Sequence, residues 1–162
     1  MNPGIVVEAD LRNPDHQAGI VSMTDRYSLD AMGNGMPLSE EVKRDLIPGL
    51  QSMPTAKIFL AYLDGKTVGI ATCFLGFSTF TARPVLNIHD FSVAPASRGK
   101  GIGRMLMEAV EQKARALHCS KITLEVVENN DRAKHVYAAA GFKPAVGGIE
   151  KHDMLFYSKP LS

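Results

Sequence analysis

Cysteine is scarce in this chain, and neither sign of charge is in excess. The two cysteines, Cys73 and Cys119, lie far apart and outside any C-x-x-C spacing, which leaves no basis for a disulfide framework or a thiolate zinc site. Such a chain suits a reducing compartment, and the cytoplasm is the expected one. Eighteen Lys and Arg against seventeen Asp and Glu give a formal net charge of +1, so no overall field draws in nucleic acid or an anionic membrane. Any anion site must be local. No window approaches eighteen consecutive apolar residues, so no membrane span is expected. The first residues, MNPGIVVEADLRNPDH, have no basic stretch leading into an apolar run and do not read as a secretory signal. Internal repeats, low-complexity tracts and Ser/Gly-rich linkers are missing as well.

What is there is an ordinary globular composition, 45% apolar and 22% charged over 162 residues. That balance is too apolar for a disordered chain, and the length fits a single domain, 1–162, with a sizeable core. Ile5 to Ala9 read as a first strand. Asn13-Pro14 supplies a capping side chain and a helix-starting proline, predicting a helix from about Pro14 to Leu29. The glycines of AMGNGMPL (31–38) mark a loop, after which Ser39 caps SEEVKRDLIPGL, a helical stretch interrupted at Pro48-Gly49.

From Lys57 the runs KIFLAYL and TVGIATCFLGF, separated by Asp64-Gly65, predict a hairpin, and PVLNIHDFSV a third strand ending at Ala94-Pro95. Ile102, Met105, Leu106, Ala109, Val110, Ala114 and Leu117 recur at helical spacing, with Lys113 alone breaking the stripe. SKITLEVVE reads as a strand, NDRAKHVYAAAG as a helix closed by Gly141, and HDMLFYSK as a last strand. The order β-α-α-β-β-β-α-β-α-β predicts an α/β fold. Antiparallel hairpins followed by a crossover to a parallel neighbour make a mixed sheet with helices on both faces.

The densest feature is SRGKGIGR, Ser97 to Arg104, with three glycines and three cations in eight residues. It falls between a strand and an amphipathic helix, so its backbone N–H groups lie at a helix N-terminus, free of intrahelical partners. Missing side chains let a phosphate approach, the helix dipole favours negative charge, and Arg98, Lys100 and Arg104 add positive field. A Walker loop is excluded because Lys100 is followed by Gly101 rather than Ser or Thr, and a dinucleotide fingerprint because Leu106 stands where a small residue is needed. A diphosphate cradle is favoured over the plainer reading, in which the glycines only tighten the strand-to-helix turn and the cations form a solvated face, because the Arg-x-x-Gly-x-Gly pattern sits between a strand and an amphipathic helix.

Arg98-Gly99-Lys100-Gly101-Ile102-Gly103 resembles the acyl-CoA signature Arg/Gln-x-x-Gly-x-Gly/Ala of the Gcn5-related N-acetyltransferase superfamily. A second block, Asn129 to Phe142, is similar to the family's Asn-x-x-Ala-x-x-x-Tyr-x-x-x-Gly-Phe, with Asn130, Ala133, Tyr137, Gly141 and Phe142 at the defined positions. Weaker local similarity extends to diamine acetyltransferases and to ribosomal-protein alanine acetyltransferases. The resemblance implies a sheet whose central strands splay apart, and acetyl-CoA as acyl-donor substrate. It implies further that the backbone of Phe91, Ser92 and Val93 pairs with pantetheine like an added strand, that Arg98, Gly99, Lys100, Gly101, Ile102 and Gly103 cradle the pyrophosphate, and that Asn130 caps its helix or contacts the cofactor.

By the same resemblance Tyr137 donates a proton to the departing thiolate. The amine acceptor, ordinarily protonated at neutral pH, must also lose a proton. Three routes stand open. Glu125 is placed on the strand ITLEVVE, opposite Ile122 and Leu124, and is spaced from Tyr137 as in ribosomal-protein alanine acetyltransferases. His89 is placed by strand parity on the face of Phe91 and Val93, with Asp90 opposite, and histidine ordinarily titrates near neutrality. A water relay needs neither. No metal is needed, and the remaining histidines are scattered. The expected acceptor is a small-molecule amine bound by the first two helices and the 31–38 loop, where Asp30, Glu40 and Glu41 favour a cation. A protein or peptide acceptor and a non-catalytic acyl-CoA-binding domain are the alternatives, with a nucleotide-phosphate binder behind them. Dimers are common in the resembled family, so a homodimer is also expected.

Overall fold

The computed structural model describes residues 3–144 and 157–161. The chain runs β1 (Ile5–Glu8), α1 (Pro14–Leu29), α2 (Glu40–Gln51), β2 (Ala56–Leu63), β3 (Lys66–Ser78), β4 (Arg83–Val93), α3 (Ile102–Ala116), β5 (Lys121–Leu124) and α4 (Asp131–Ala139). The sheet order is β1-β2-β3-β4-β5, antiparallel up to β4 and parallel between β4 and β5. The expected last strand at 152–159 lies outside the described residues except for 157–159, which carry no strand.

Local signals account for most boundaries. Asn13 accepts from the N–H of Asp15 and His16 ahead of Pro14, and Ser39 accepts from Val42 N–H. Asp64 and Gly65 both take positive φ, 49° and 75°, which turns β2 tightly into β3. Pro48 does not interrupt its helix, contrary to expectation: α2 continues to Gln51. The proline removes only the bond to the Arg44 carbonyl, which solvent can replace because Arg44 is exposed. Leu46, Ile47 and Leu50 meanwhile hold the turn onto the core.

The strands read as nearly continuous apolar runs because both sheet faces are covered. One face carries Phe59, Ala61, Ala71, Cys73, Leu86 and Ile88 against α3 and α4; the other carries Ile58, Leu60 and Ile70 against Ile20 and Met23 of α1 and Leu50 of α2. Lys113, the break in the α3 stripe, reaches Glu8 at the β1 edge at 2.8 Å. Leu106 of α3 is fully buried. Leu106→Ala is expected to cost about 2–5 kcal/mol through lost transfer energy and a residual cavity, read as a lowered urea midpoint with unchanged slope.

Candidate functional site

β4 is the strand that shapes the site. Thr72 pairs with Asp90 but Cys73 with Ile88, so His89 is an extra residue in β4, a bulge. Pairing with β5 ends at Ile88–Leu124, while β4 runs on to Val93. From His89 to Val93 its outer edge therefore has no strand partner among the described residues. The strands part there as expected, and about 930 Å³ of cavity opens between them.

The bulge overturns the parity argument for His89. Leu86 and Ile88 face the α3 side, and so do Phe91 and Val93, so the alternation slips by one residue. The His89 ring meets Phe74 edge-on at 5.7 Å between centroids, and Phe74 packs with the α1–α2 core. His89 thus shares Asp90's face, not that of Phe91, yet it is exposed and lines the cavity. Glu125 also needs correcting. β5 stops at Leu124, so Glu125 lies just past the strand, exposed on the opposite lip of the same cavity.

The glycine turn forms the floor. Gly99 and Gly101 take φ of 74° and 80°, left-handed values that L side chains resist. Gly101 is the N-cap of α3, and the first intrahelical bond runs from Met105 N–H to its carbonyl. The N–H groups of Ile102, Gly103 and Arg104 therefore have no intrahelical partner. Gly103 differs: an added Cβ would sit 3.7–3.8 Å from Phe91 and Val136, ordinary contact, which is why the motif admits Ala at its last position and not at Gly101. The cations are partly spent. Arg104 pairs with Glu108 at 2.9 Å, the Arg98 guanidinium reaches the Val93 carbonyl and Asp30, and Lys100 does not line the cavity.

α4 forms the far wall. Asn130 caps it, accepting from Ala133 N–H at 3.2 Å, which leaves its amide N–H groups for another partner. The end at Gly141 closes with paired bonds, Gly141 N–H to the Ala138 carbonyl and Phe142 N–H to the Tyr137 carbonyl, both 3.0 Å, a Schellman arrangement. Phe142 thereby packs on Tyr137 at 6.1 Å, and Phe91 meets the same ring edge-on at 5.8 Å. Tyr137 is 9% exposed. Burial, helped by the nearby Tyr27, pushes its phenol up to about 12, so it stays protonated at neutral pH.

Apart from Lys100, every catalytic and cofactor candidate named from the sequence lines this one cavity; of the acids expected on the acceptor side Asp30 does, whereas Glu40 and Glu41 do not, and no α2 residue reaches it. Sequence reasoning missed Tyr27, near the end of α1. Its phenol is raised by burial and by the charges of Asp90 and Asp30, while burial raises Asp90 itself against the pull of His89. Tyr27 continues the spacing of the buried Ile20 and Met23, so by periodicity it reads as one more core residue; the polar Asp30 three places on was the available signal. Among the described residues no group of His, Cys, Asp and Glu is placed to hold a metal ion, and no helix is long and apolar enough to cross a membrane.

Residues 22–142 match the family model described as the acetyltransferase (GNAT) family. The chain belongs to that family. The match runs from α1 through Phe142 and so takes in every wall of the cavity. Among relatives of this GNAT chain, an uncharacterized N-acetyltransferase of Archaeoglobus fulgidus is 36% identical over 93 residues, 56% of this chain and 63% of that protein. The streptothricin acetyltransferase of Streptomyces lavendulae is 40% identical over 79 residues, 49% of this chain and 40% of that protein. Each alignment thus spans less than two thirds of the relative. In fold, AAC(6')-Iy, solved in complex with the bisubstrate analog CoA-S-monomethyl-acetylneamine, superposes with a TM-score of 0.75 at 17% identity over 98% of this chain and 99% of that one.

Proposed function

We propose that this GNAT protein is an acetyl-CoA-dependent N-acetyltransferase that moves the acetyl group directly to a primary amine of a small molecule. The observation that carries the reading is the meeting, in one cavity, of an open strand edge, a helix N-terminus and a buried protonated phenol. The pyrophosphate sits on the N–H groups at the start of α3, and pantetheine lies along Phe91–Val93 as an added strand. This brings the thioester up to Tyr137.

The acceptor enters from the side of Tyr27, Met32 and His89. Its proton leaves at the exposed lips, where His89 and Glu125 are the candidate bases and water the third route. The amine then attacks the thioester carbonyl: a C–N bond forms, the C–S bond breaks, and Tyr137 donates toward the departing sulfur. A small acceptor fits the names of two of the proteins above, a streptothricin acetyltransferase and one bound to an acetylneamine analogue.

The experiment is thiol release from acetyl-CoA against polyamines, aminoglycosides, amino acids and N-terminal peptides, with product masses. The expected result is release above hydrolysis, matched by N-acetylated product, for a small amine. Turnover confined to peptides overturns the acceptor class. A flat panel with acetyl-CoA still bound favours a binding domain over an enzyme.

A further inference from the structure

Arg98 leaves the glycine turn sideways rather than toward the α3 N-terminus. Its Nε donates to the Val93 carbonyl at 3.0 Å, and its NH2 group reaches Asp30 Oδ2 at 3.4 Å across 68 residues of sequence. Asp30 belongs to the acceptor wall. It caps the C-terminus of α1 and organises the start of the 31–38 loop: its Oδ1 accepts from Met32 N–H at 2.9 Å, and its carbonyl from Gly33 N–H at 2.9 Å and Gly35 N–H at 3.3 Å. Among the described residues, no other side-chain hydrogen bond or ion pair joins residues 30–38 to the glycine turn.

Both partners are less than a third exposed, so solvent screens this pair less than a surface one. Two directed bonds from one planar guanidinium also fix where the carboxylate sits, which a lysine could not do. The loop is tied to the end of α1, through Asp25, Ser28 and Asp30, while Met32 and Met36 are exposed, so few buried apolar contacts oppose its local opening. A modest bias at Asp30 is then enough to change its population.

We propose that the Arg98–Asp30 pair is a strut: a diphosphate held on the glycine turn fixes the backbone next to Arg98, and the guanidinium carries that order to the 31–38 loop, so that donor binding raises the population of the ordered acceptor wall. The proposal rests on the reading of the cavity as an acyl-CoA site. It makes Asp30 a positioning residue and gives Arg98 a side-chain role separate from phosphate binding.

The test is amide hydrogen exchange on the full chain with and without saturating coenzyme A. In the wild type, coenzyme A is expected to slow exchange at residues 99–104 and, at least about fivefold, at 32–36. Asp30→Asn keeps an acceptor for Met32 N–H and removes the charge; there residues 99–104 still respond and residues 32–36 change less than about twofold. Arg98→Lys, which keeps the charge but loses the fork, is expected to behave the same way and serves if the Asn variant folds poorly. A wild-type loop that ignores coenzyme A, or a variant loop that responds like the wild type, overturns the strut and leaves the acyl-CoA reading standing. No slowing at 99–104 in the wild type overturns both.

Discussion

Tyr137→Phe is expected to lower kcat for acetyl transfer about a hundredfold while coenzyme A binds within about twofold of wild type. The ring is held by Phe91 and Phe142, so the substitution removes the hydroxyl and keeps the packing. The size follows from the phenol's environment. At about 12, facing a thiol whose ordinary value is ~8.5, it donates a hydrogen bond to the developing thiolate more readily than it gives up its proton, which sets the effect at the low end for general acids. The same value places no descending limb in the rate profile below about pH 10 from this residue.

Linkage gives the Tyr137 prediction a second readout. The folded phenol lies above its unfolded value of 10.0, so above that pH the unfolded chain releases its proton first. The stability owed to Tyr137 is intact below pH 10 and declines as the pH rises toward 12. Urea midpoints of wild type and Tyr137→Phe should accordingly converge or cross over that window. Unchanged turnover in the variant would remove Tyr137 from the mechanism.

Gly101→Val is expected to weaken coenzyme A binding at least tenfold. A left-handed φ costs an L-residue about 1–2 kcal/mol, more with a β-branch, and each 1.4 kcal/mol is roughly tenfold in affinity. At φ 80° the valine must strain the N-cap or swing the free N–H groups off the phosphate. Gly103→Ala is the matched control: its Cβ meets Phe91 and Val136 at ordinary distance, and binding within about twofold is expected. Calorimetric titration of both variants checks the contrast, and equal losses would detach the site from the backbone geometry of the turn.

What the sequence made legible was whatever has a local cause. Asn13-Pro14, Ser39 and Asp64-Gly65 act within a few residues, and the α3 stripe has a period that only a helix buries. SRGKGIGR is legible because glycines at a strand-to-helix turn leave backbone N–H groups free by a purely local cause, although Arg98 and Arg104 turned out to be largely engaged with protein partners.

The less legible features depend on contacts distant in sequence. The His89 bulge shifts the apolar alternation from Leu86 and Ile88 to Phe91 and Val93, and that slip becomes readable as a bulge only through the pairing of β3 across it. β5 stops at Leu124 because β4 departs there, although the β-rich run continues to Val127. Tyr27 is indistinguishable from a core residue until the cavity is in view. Pro48 was expected to break a helix that long-range packing holds together.

The central claim is that the cavity between β4 and β5 takes acetyl-CoA, and thermal unfolding with acetyl-CoA, ATP and NAD tests it most directly. A ligand specific to the folded state at a hundred times its dissociation constant adds about 2.7 kcal/mol, which for a domain of this size raises Tm by roughly 5–10 °C. The account predicts a saturable rise of that order with acetyl-CoA, small or absent with ATP and NAD, and cut to about half or less at the same concentration in Gly101→Val. An equal rise with all three ligands, or none with acetyl-CoA, would contradict it.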